Sequence, residues 1–310
     1  MEYRVLGKTG IKISRLSFGA SSLGGIFHPV DTGDGIKAVH AALDYGINLI
    51  DCSPYYGDMK AENMLGSALR DISRDRFFLS TKVGRYWHNG EKSWDYSAGK
   101  AVKSVDESLK RLKVDHIDFI YCHDIEFARP EQIIQETLPA LHRLKETGKV
   151  RFVGITGLPL RNFRYIIDHS APGLVELVLT FCHYTLQDDS LVDYLDYFEK
   201  KNVGVINASP LSMGLLSEKG APDWQPAGQE IREICQKAAQ FCHQEGIKIE
   251  KLALQFSVHH NDVPTTLVGT SSADTIVRNI QWIGESMDMS LLQAVLAILK
   301  PIHRKTWKNS

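Results

Sequence analysis

Four residues with complementary acid–base chemistry each follow a short run of apolar, β-branched residues. Asp51 and Tyr56 lie in DCSPYYG, Lys82 in FLSTKVG and His123 in FIYCHD. A carboxylate, a phenol, an amine and an imidazole can form a proton-transfer site if the fold brings them together. Each also has an ordinary structural interpretation, as a loop cap, a surface aromatic, an ion-pair partner or a core histidine. Their common position after successive predicted strands favours an enzyme.

Tyr56 is the candidate proton donor or acceptor, and Lys82 is the cation that it needs. A phenol has a pKa near ~10, so proton exchange at neutral pH requires a nearby positive charge. At ~4 Å and an effective dielectric constant of ~20 the attraction is about 4 kcal/mol, and we expect it to lower the pKa of Tyr56. Asp51 is expected to keep Lys82 protonated, and His123 to hydrogen-bond the substrate oxygen. These groups move protons but cannot store a hydride, so the site requires a cofactor.

The elements that must position these residues alternate along the whole chain. Eight strands are predicted in RLSFG, NLIDC, FFLSTKV, IDFIYCH, VRFVGIT, LVELVLTF, GVINASP and TTLVGT. Helical periodicity predicts helices over residues 34–45, 61–70, 99–112, 130–147, 160–170, 190–202, 230–244 and 273–283. Eight such pairs in about 250 residues are typical of a (β/α)8 TIM barrel of the α/β class, whose active site lies at the C-terminal face of the strands. We expect one domain over residues 1–310.

Three further segments complete this organisation. YRVLGKTGIKISRL alternates apolar and polar residues around Gly7 and Gly10, which predicts an N-terminal β-hairpin. Two long inserts, residues 86–98 and 214–229, follow the third and seventh predicted strands. In a barrel they lie over the catalytic face, where loops select the substrate.

Composition excludes several classes of protein. Lys plus Arg number 36 against 37 for Asp plus Glu, and no basic cluster suggests a nucleic-acid partner. The five cysteines are odd in number and show no CxxC spacing, so we expect reduced thiols and no metal site. No apolar N-terminal signal and no span of ~20 apolar residues is present. These patterns predict a cytoplasmic protein with a small-molecule substrate and with no membrane association or obligate protein partner.

The last predicted strand–helix unit, VGTSSADTIVRN, offers a place for a phosphate. Gly269, Thr270, Ser271 and Ser272 lead into a helix start, where free N–H groups and the helix dipole favour an anion. Serine and threonine are also common helix caps, so the pattern alone leaves both interpretations open. No GxGxxG follows a predicted strand, so a Rossmann cofactor site is not indicated.

These motifs together resemble the aldo-keto reductase family over essentially the whole chain. The most specific stretches are NLIDCSPYYGDMKAENMLGSAL, SVDESLKRLKVDHIDFIYCHD, STKVG and VGTSSADTIVRN. The resemblance implies that Tyr56 is the general acid or base, with Asp51, Lys82 and His123 as its partners. It also implies a nicotinamide dinucleotide bound across the barrel mouth by Gly19, Thr156, Ser209, Leu211, Gly269, Thr270, Ser271, Thr275 and Asn279.

A closer resemblance is to plant members of the family that oxidise the anomeric hydroxyl of a sugar, such as L-galactose, to a lactone with NAD. It is carried by FGASSLGGIFHPV, CHDIEF, GITGLPL, FCHYTL and ASPLSMGLL. It implies an NAD-dependent aldose 1-dehydrogenase and makes Trp87, Asp124, His183 and Tyr184 candidate sugar contacts.

Departures from the family pattern bear on the cofactor. The two positions where members that use NADPH usually carry a lysine and an arginine are Gly269 and Thr275 here, so NAD is the expected cofactor. Gly157, Ala208 and Arg278 also differ from the usual residues. The same four catalytic candidates equally serve an NADPH-dependent carbonyl reductase. A barrel of this kind can also act as a non-catalytic, cofactor-binding regulator, like the potassium-channel β-subunits.

Overall fold

The structure, a computed structural model, describes residues 1–308 and begins with a small hairpin. Strands β1 (Tyr3–Val5) and β2 (Lys12–Ser14) pair antiparallel, as the alternation of the N-terminal segment predicted. Their connection brings Gly7, at a φ of 50°, against the barrel strand that starts at Gly204. An added Cβ at Gly7 would lie 2.6 Å from the Cα of Gly204, so the close approach requires glycine. The hairpin covers the N-terminal end of the barrel.

Eight parallel strands form a closed barrel, and each of the eight predicted strands is present. The last barrel strand pairs with the first, with Gly269 opposite Gly19, so the sheet has no free edge. This confirms the prediction of a (β/α)8 barrel. The predicted strand LVELVLTF begins only at Leu177. The barrel strands are β3 (Leu16–Gly19), β4 (Leu49–Asp51), β5 (Phe78–Val83), β8 (Ile117–Cys122), β9 (Val150–Gly157), β10 (Leu177–Phe181), β11 (Gly204–Ala208) and β12 (Thr266–Gly269), and β6 (Arg85–His88) and β7 (Glu91–Trp94) form a separate hairpin.

Helices connect the strands, and all eight predicted helices occur within a few residues of the expected bounds. The predicted helix over residues 130–147 contains a π-helical turn at Ile133–Thr137 that joins two α-helical parts. The helices are α1 (Thr32–Asp44), α2 (Lys60–Ala68), α3 (Ala98–Leu112), α4 (Pro130–Gln132), α5 (Leu138–Glu146), α6 (Leu160–His169), α7 (Val192–Lys200), α8 (Gln229–Gln244), α9 (Ile249–His259), α10 (Ala273–Gly284) and α11 (Met289–Leu299).

The helices α9 and α11 and the β6–β7 hairpin were not predicted from the sequence. Seven of the eleven residues of α9 are buried, and α11 is apolar around most of its circumference, so neither shows a clear amphipathic period. All four residues of β7 are exposed and therefore lack the alternation that marks a half-buried strand. Within residues 1–308 no single helix is long and apolar enough to cross a membrane. The bent pair Ala273–Gly284 and Met289–Ile302 meets that condition by length and composition alone.

The lower part of the barrel interior is filled by apolar side chains. These come from the N-terminal hairpin and from the barrel strands, and they include Leu6, Ile13, Leu49, Phe119, Leu177, Ile206 and Leu267. This plug closes the barrel at the N-terminal end of the strands. Polar side chains at the C-terminal ends of the strands therefore pack directly on this apolar layer. Water is scarce there, and charges interact strongly.

Candidate active site

The four residues singled out from the sequence converge at the C-terminal mouth of the barrel. Asp51 is the last residue of β4, Lys82 is next to last in β5, His123 directly follows β8, and Tyr56 lies between β4 and α2. The Nζ of Lys82 is 4.9 Å from the ring centroid of Tyr56. The ring centroids of Tyr56 and His123 are 5.9 Å apart. Parallel strands bring their carboxyl ends to one face, which is why residues far apart in sequence meet here.

Lys82 is a buried cation whose charge is compensated from two sides. Its Nζ donates hydrogen bonds to Oδ2 of Asp51 at 2.6 Å and to the carbonyl oxygen of Cys52 at 2.7 Å. Ser80, which the sequence did not single out, donates to the other carboxylate oxygen of Asp51 at 2.7 Å. Burial lowers the pKa of Lys82, but the charges and hydrogen bonds of Asp51 and Tyr56 outweigh burial and raise it. Lys82 therefore stays protonated and fixed in place.

Tyr56 carries its proton at neutral pH. Burial raises the pKa of Tyr56 to about 12, and Lys82 acts in the opposite direction through its charge and hydrogen bond. The effect of Lys82 has the expected sign, but desolvation of the phenolate is the larger effect. The sequence led us to expect a lowered pKa for Tyr56, whereas the structure gives a raised one. The difference arises because the extent of burial is not visible in the sequence. The phenolate form of Tyr56, which can accept a proton from a substrate, therefore becomes more populated as the pH rises.

His123 is neutral, and its hydrogen bonds define which ring nitrogen carries the proton. Burial, followed by the charges of Lys82 and Arg85, lowers the pKa of His123 well below its usual value. The Oγ of Ser53 accepts the backbone N–H of Tyr55 at 3.1 Å and lies 3.1 Å from Nδ1 of His123. The carboxylate of Asp124, with Oδ2 3.7 Å from Nε2, favours a hydrogen on Nε2, so Nε2 is assigned as the N–H donor and Nδ1 as the acceptor of the Ser53 hydroxyl. A neutral Nε2–H at the mouth can hydrogen-bond a substrate oxygen.

A second charged pair lies beside His123. Arg85, at the start of β6, is buried and donates from Nη1 to the carboxylate of Asp124 and from Nη2 to the hydroxyl of Tyr55 at 3.0 Å. Oδ2 of Asp124 is 3.7 Å from Nε2 of His123. The ring of Trp87 lies 5.7 Å from that of Tyr55. The structure thus places Asp124 and Trp87 near the four residues and adds Arg85 and Tyr55, which the sequence reasoning missed.

His183 and Tyr184 are placed differently from the sequence-based expectation. Both ring nitrogens of His183 have protein partners, which are Asp188 and Ser190 at Nδ1 and the carbonyl oxygen of Leu158 at Nε2. His183 therefore joins two loops. The ring of Tyr184 stacks on Phe256 of α9 at 5.1 Å and packs in the layer between barrel and helices. Both ring nitrogens of His183 are thus used within the protein, and the ring of Tyr184 is used in packing.

The residues implied for cofactor binding lie at the ends of β3, β9, β11 and β12 and in α10. Thr156 is buried in β9, Ser209 has a left-handed φ of 58°, and Leu211 follows it. Gly19 and Gly269 face each other across β3 and β12. Gly269 is exposed, and an added Cβ there would lie 3.1 Å from the carbonyl oxygen of Gly19 and from Oγ of Ser22, so the two strand ends pack closely.

The start of α10 carries the remaining residues of this set. Ser272 is the helix cap, and its Oγ accepts the N–H of Thr275 at 3.3 Å. Thr270 accepts the N–H of Ser272, and Ser271 and Asn279 are buried. Arg278 donates to Oγ1 of Thr275 at 3.2 Å and lies over Trp282. Ser272 therefore does cap the helix, and Arg278 brings a cation close to the position that Thr275 occupies.

Gly157 and Ala208, which differ from the usual residues of the family, have well-defined neighbours in the structure. A Cβ at Gly157 would collide with the carboxylate of Glu126, whose Oε1 accepts the N–H of Leu158 at 3.1 Å. Ala208 ends β11 and belongs to the apolar filling of the barrel. A larger side chain at Gly157 would therefore require the Glu126 carboxylate, which follows β8, to move.

Comparisons with known proteins agree on one family. The profile of the aldo/keto reductase family matches residues 15–297. The chain is 45% identical to the L-galactose dehydrogenase of Arabidopsis thaliana, covering 100% of this chain and 98% of that protein. It is 32% identical to the D-arabinose 1-dehydrogenase of Saccharomyces cerevisiae, covering 70% of this chain and 66% of that protein. The fold is similar to that of the holo form of an aldo-keto reductase from Bacillus halodurans, with a TM-score of 0.80, 24% identity and coverage of 100% and 99%.

Proposed function

The chain belongs to the aldo/keto reductase family, and from this premise we propose that it is an NAD-dependent aldose 1-dehydrogenase. It would oxidise the C1 hydroxyl of L-galactose, or of a sugar with a related configuration, to the aldonolactone. The observation that carries the proposal is the similarity to Arabidopsis L-galactose dehydrogenase over the full length of both proteins. The yeast relative also bears the name of an aldose 1-dehydrogenase.

The mouth of the barrel has features that suit a nicotinamide dinucleotide. Gly269 is exposed at the end of β12, and the start of α10 offers N–H groups and a helix dipole to a phosphate. We assign contacts with the cofactor to residues at the strand ends and in α10, which are Thr156, Ser209, Leu211, Gly269, Thr270, Ser271, Thr275 and Asn279. Gly19, which pairs with Gly269, is assigned to the same site. When bound, the nicotinamide supplies the acceptor for a hydride.

Tyr56 is the proposed base of the oxidation. As the C1–H bond breaks and its electron pair leaves with the hydrogen, the C1 oxygen gives its proton to the phenolate of Tyr56 and forms the lactone carbonyl. Lys82 stabilises that phenolate because it is a fixed cation 4.9 Å from the ring centroid. Asp51 keeps Lys82 charged, and His123 donates from Nε2 to the C1 oxygen. Protons and electrons balance, since one hydride and one proton leave the sugar.

Sugar recognition is assigned to the side chains that lie next to His123. Asp124 is 3.7 Å from the imidazole, and Trp87 lies against Tyr55 and can cover an apolar face of a sugar ring. His183 and Tyr184 are not assigned to the sugar, because both ring nitrogens of His183 have protein partners and the ring of Tyr184 stacks on Phe256. All five cysteines are buried free thiols, which supports work in a reducing compartment such as the cytoplasm.

NAD is the proposed cofactor because Gly269 and Thr275 carry no charge for a 2′-phosphate. Arg278 does place a positive charge near this position, because its guanidinium donates a hydrogen bond to the hydroxyl of Thr275. Its guanidinium already contacts the Thr275 hydroxyl and the Trp282 ring, so we expect it to contribute little to binding of NADP.

The test is NADH formation, followed at 340 nm, with L-galactose, L-fucose and D-arabinose under NAD and NADP. We expect turnover with NAD that is lost in Tyr56→Phe, which removes the proton acceptor and keeps the ring. If no sugar reacts and NADPH instead reduces simple aldehydes, the protein is a carbonyl reductase. If neither reaction occurs while NADH still binds, a non-catalytic role for the barrel is favoured.

A further inference from the structure

The ion pair of Arg85 and Asp124 lies beside the catalytic imidazole and has no role in the proton transfer itself. Both side chains are almost fully buried, with 7% and 4% of the side-chain surface exposed. A buried ion pair is weak support for stability, because removing two charges from water offsets most of their attraction. Its position next to His123 suggests instead that it serves the reaction.

Arg85 is held rigidly at this place. Its Cζ lies 4.1 Å from the ring centroid of Tyr55 and 5.0 Å from that of Phe127. The two terminal nitrogens donate in different directions, one to Asp124 and one to the Tyr55 hydroxyl. An arginine stacked between two rings and bonded at both tips aims its partner carboxylate in one direction.

Asp124 is held equally firmly through its backbone. It has a left-handed φ of 50°, which is unusual for a residue with a side chain. The hydroxyl of Tyr96 donates to the carbonyl oxygens of both His123 (2.6 Å) and Asp124 (3.0 Å). This bond fixes the turn that presents the imidazole and the carboxylate side by side.

We propose that this pair recognises the hydroxyl on the carbon next to the reacting one, the C2 hydroxyl of an aldose, with Asp124 as acceptor and Arg85 as its positioning residue. This inference rests on the proposed function. If the C1 oxygen accepts a hydrogen bond from Nε2 of His123, the C2 oxygen lies about one hydrogen-bond length further along the sugar. Oδ2 of Asp124 is 3.7 Å from the same Nε2, which places it within reach of that hydroxyl.

Proximity supports the same assignment. The side chains of His123 and Asp124 are both buried and only 3.7 Å apart, so a ligand that contacts the imidazole at Nε2 is also close to the carboxylate. A carboxylate has about four lone-pair sites, so Asp124 can accept a hydroxyl in addition to the protein groups that it already binds. A hydroxyl supplies a donor, whereas a C–H group at the same place leaves the carboxylate without one.

The experiment compares L-galactose with 2-deoxy-L-galactose as substrates under NAD. A hydrogen bond to a charged group corresponds to roughly 10- to 150-fold in kcat/KM, and we expect the wild-type enzyme to prefer L-galactose by such a factor. In Asp124→Asn the preference should fall at least fivefold. In the double variant R85M/D124L, which leaves no unpaired charge, it should fall to about one. Arg85→Lys should give an intermediate ratio, because it retains the charge and loses the fixed geometry.

Controls separate recognition from folding. Arg111→Lys alters another ion pair, which the half-buried Arg111 forms with the buried Glu62 on α2, and should leave the ratio between the two sugars unchanged. Thermal melting and quenching of protein fluorescence by NADH establish that each variant is folded and binds cofactor.

Two results would overturn the proposal. The first is equal turnover of both sugars by the wild-type enzyme, and the second is variants that lose activity on both sugars with an unchanged ratio. A folded wild-type enzyme that oxidises neither sugar refutes the proposed function itself, and the role of the pair with it.

Discussion

Replacing Lys82 with methionine tests the proton-transfer scheme most directly. Methionine has nearly the length of lysine and no charge, so the change removes the cation beside Tyr56. At the 4.9 Å that separates Nζ from the ring centroid, and with an effective dielectric constant of about 20, the attraction to a phenolate is about 3.4 kcal/mol. Each factor of ten corresponds to about 1.4 kcal/mol, so the fraction of phenolate at a given pH falls roughly 300-fold.

We therefore expect kcat/KM for sugar oxidation to fall about 100- to 1,000-fold in Lys82→Met. Burial raises the pKa of Tyr56 to about 12 in the native protein, so the oxidation rate should rise with pH through the alkaline range. In the variant the same rise should be displaced to higher pH. Initial rates of NADH formation between pH 6 and about 10.5 measure both effects.

The variant needs a control for stability. Lys82→Met leaves the buried carboxylate of Asp51 without its cation, and breaking a buried pair costs about 3–5 kcal/mol. The double variant K82M/D51N removes both charges and should recover most of the melting temperature without recovering activity. A loss of less than tenfold in kcat/KM, or a pH profile that does not move, would refute the role assigned to Lys82.

Three further predictions concern neighbouring groups. Ser53→Ala removes the hydrogen-bond partner of Nδ1 on His123, and we expect kcat/KM to fall roughly 5- to 150-fold; wild-type kinetics would contradict the assigned tautomer. Because the pKa of His123 is lowered in the folded state, the unfolded chain binds more protons below pH ~6.5, so the free energy of unfolding should be intact above that pH and decrease below it. Urea unfolding at pH 7 and pH 5 should show a smaller decrease in His123→Gln, and an equal decrease would rule out this origin. Arg278→Ala should leave the ratio of kcat/KM for NAD over NADP unchanged, and a marked rise in that ratio would show that Arg278 binds the 2′-phosphate.

Much of the fold could be predicted because the relevant signals are local. Alternating β-branched runs and helical periods identified all eight barrel strands and the eight helices between them. The helices α9 and α11 were missed because burial on most faces removes the contrast between apolar and polar sides. The β6–β7 hairpin was missed for the opposite reason, since its second strand is exposed throughout.

The chain by itself determined which residues meet at the mouth of the barrel. Asp51, Lys82 and His123 each end or follow a parallel strand, and the closed sheet carries all such ends to one face. Their chemical types then limited the site to proton transfer assisted by a cofactor.

Only the tertiary structure decided the protonation states and the orientation of the neighbouring side chains. Burial outweighs Lys82 at Tyr56, and the Asp124 carboxylate and the Ser53 hydroxyl together set the tautomer of His123. Arg85 meets Asp124 although 39 positions separate them along the chain. Solvent exclusion and side-chain direction depend on contacts among many elements at once, and for that reason no local pattern in the sequence records them.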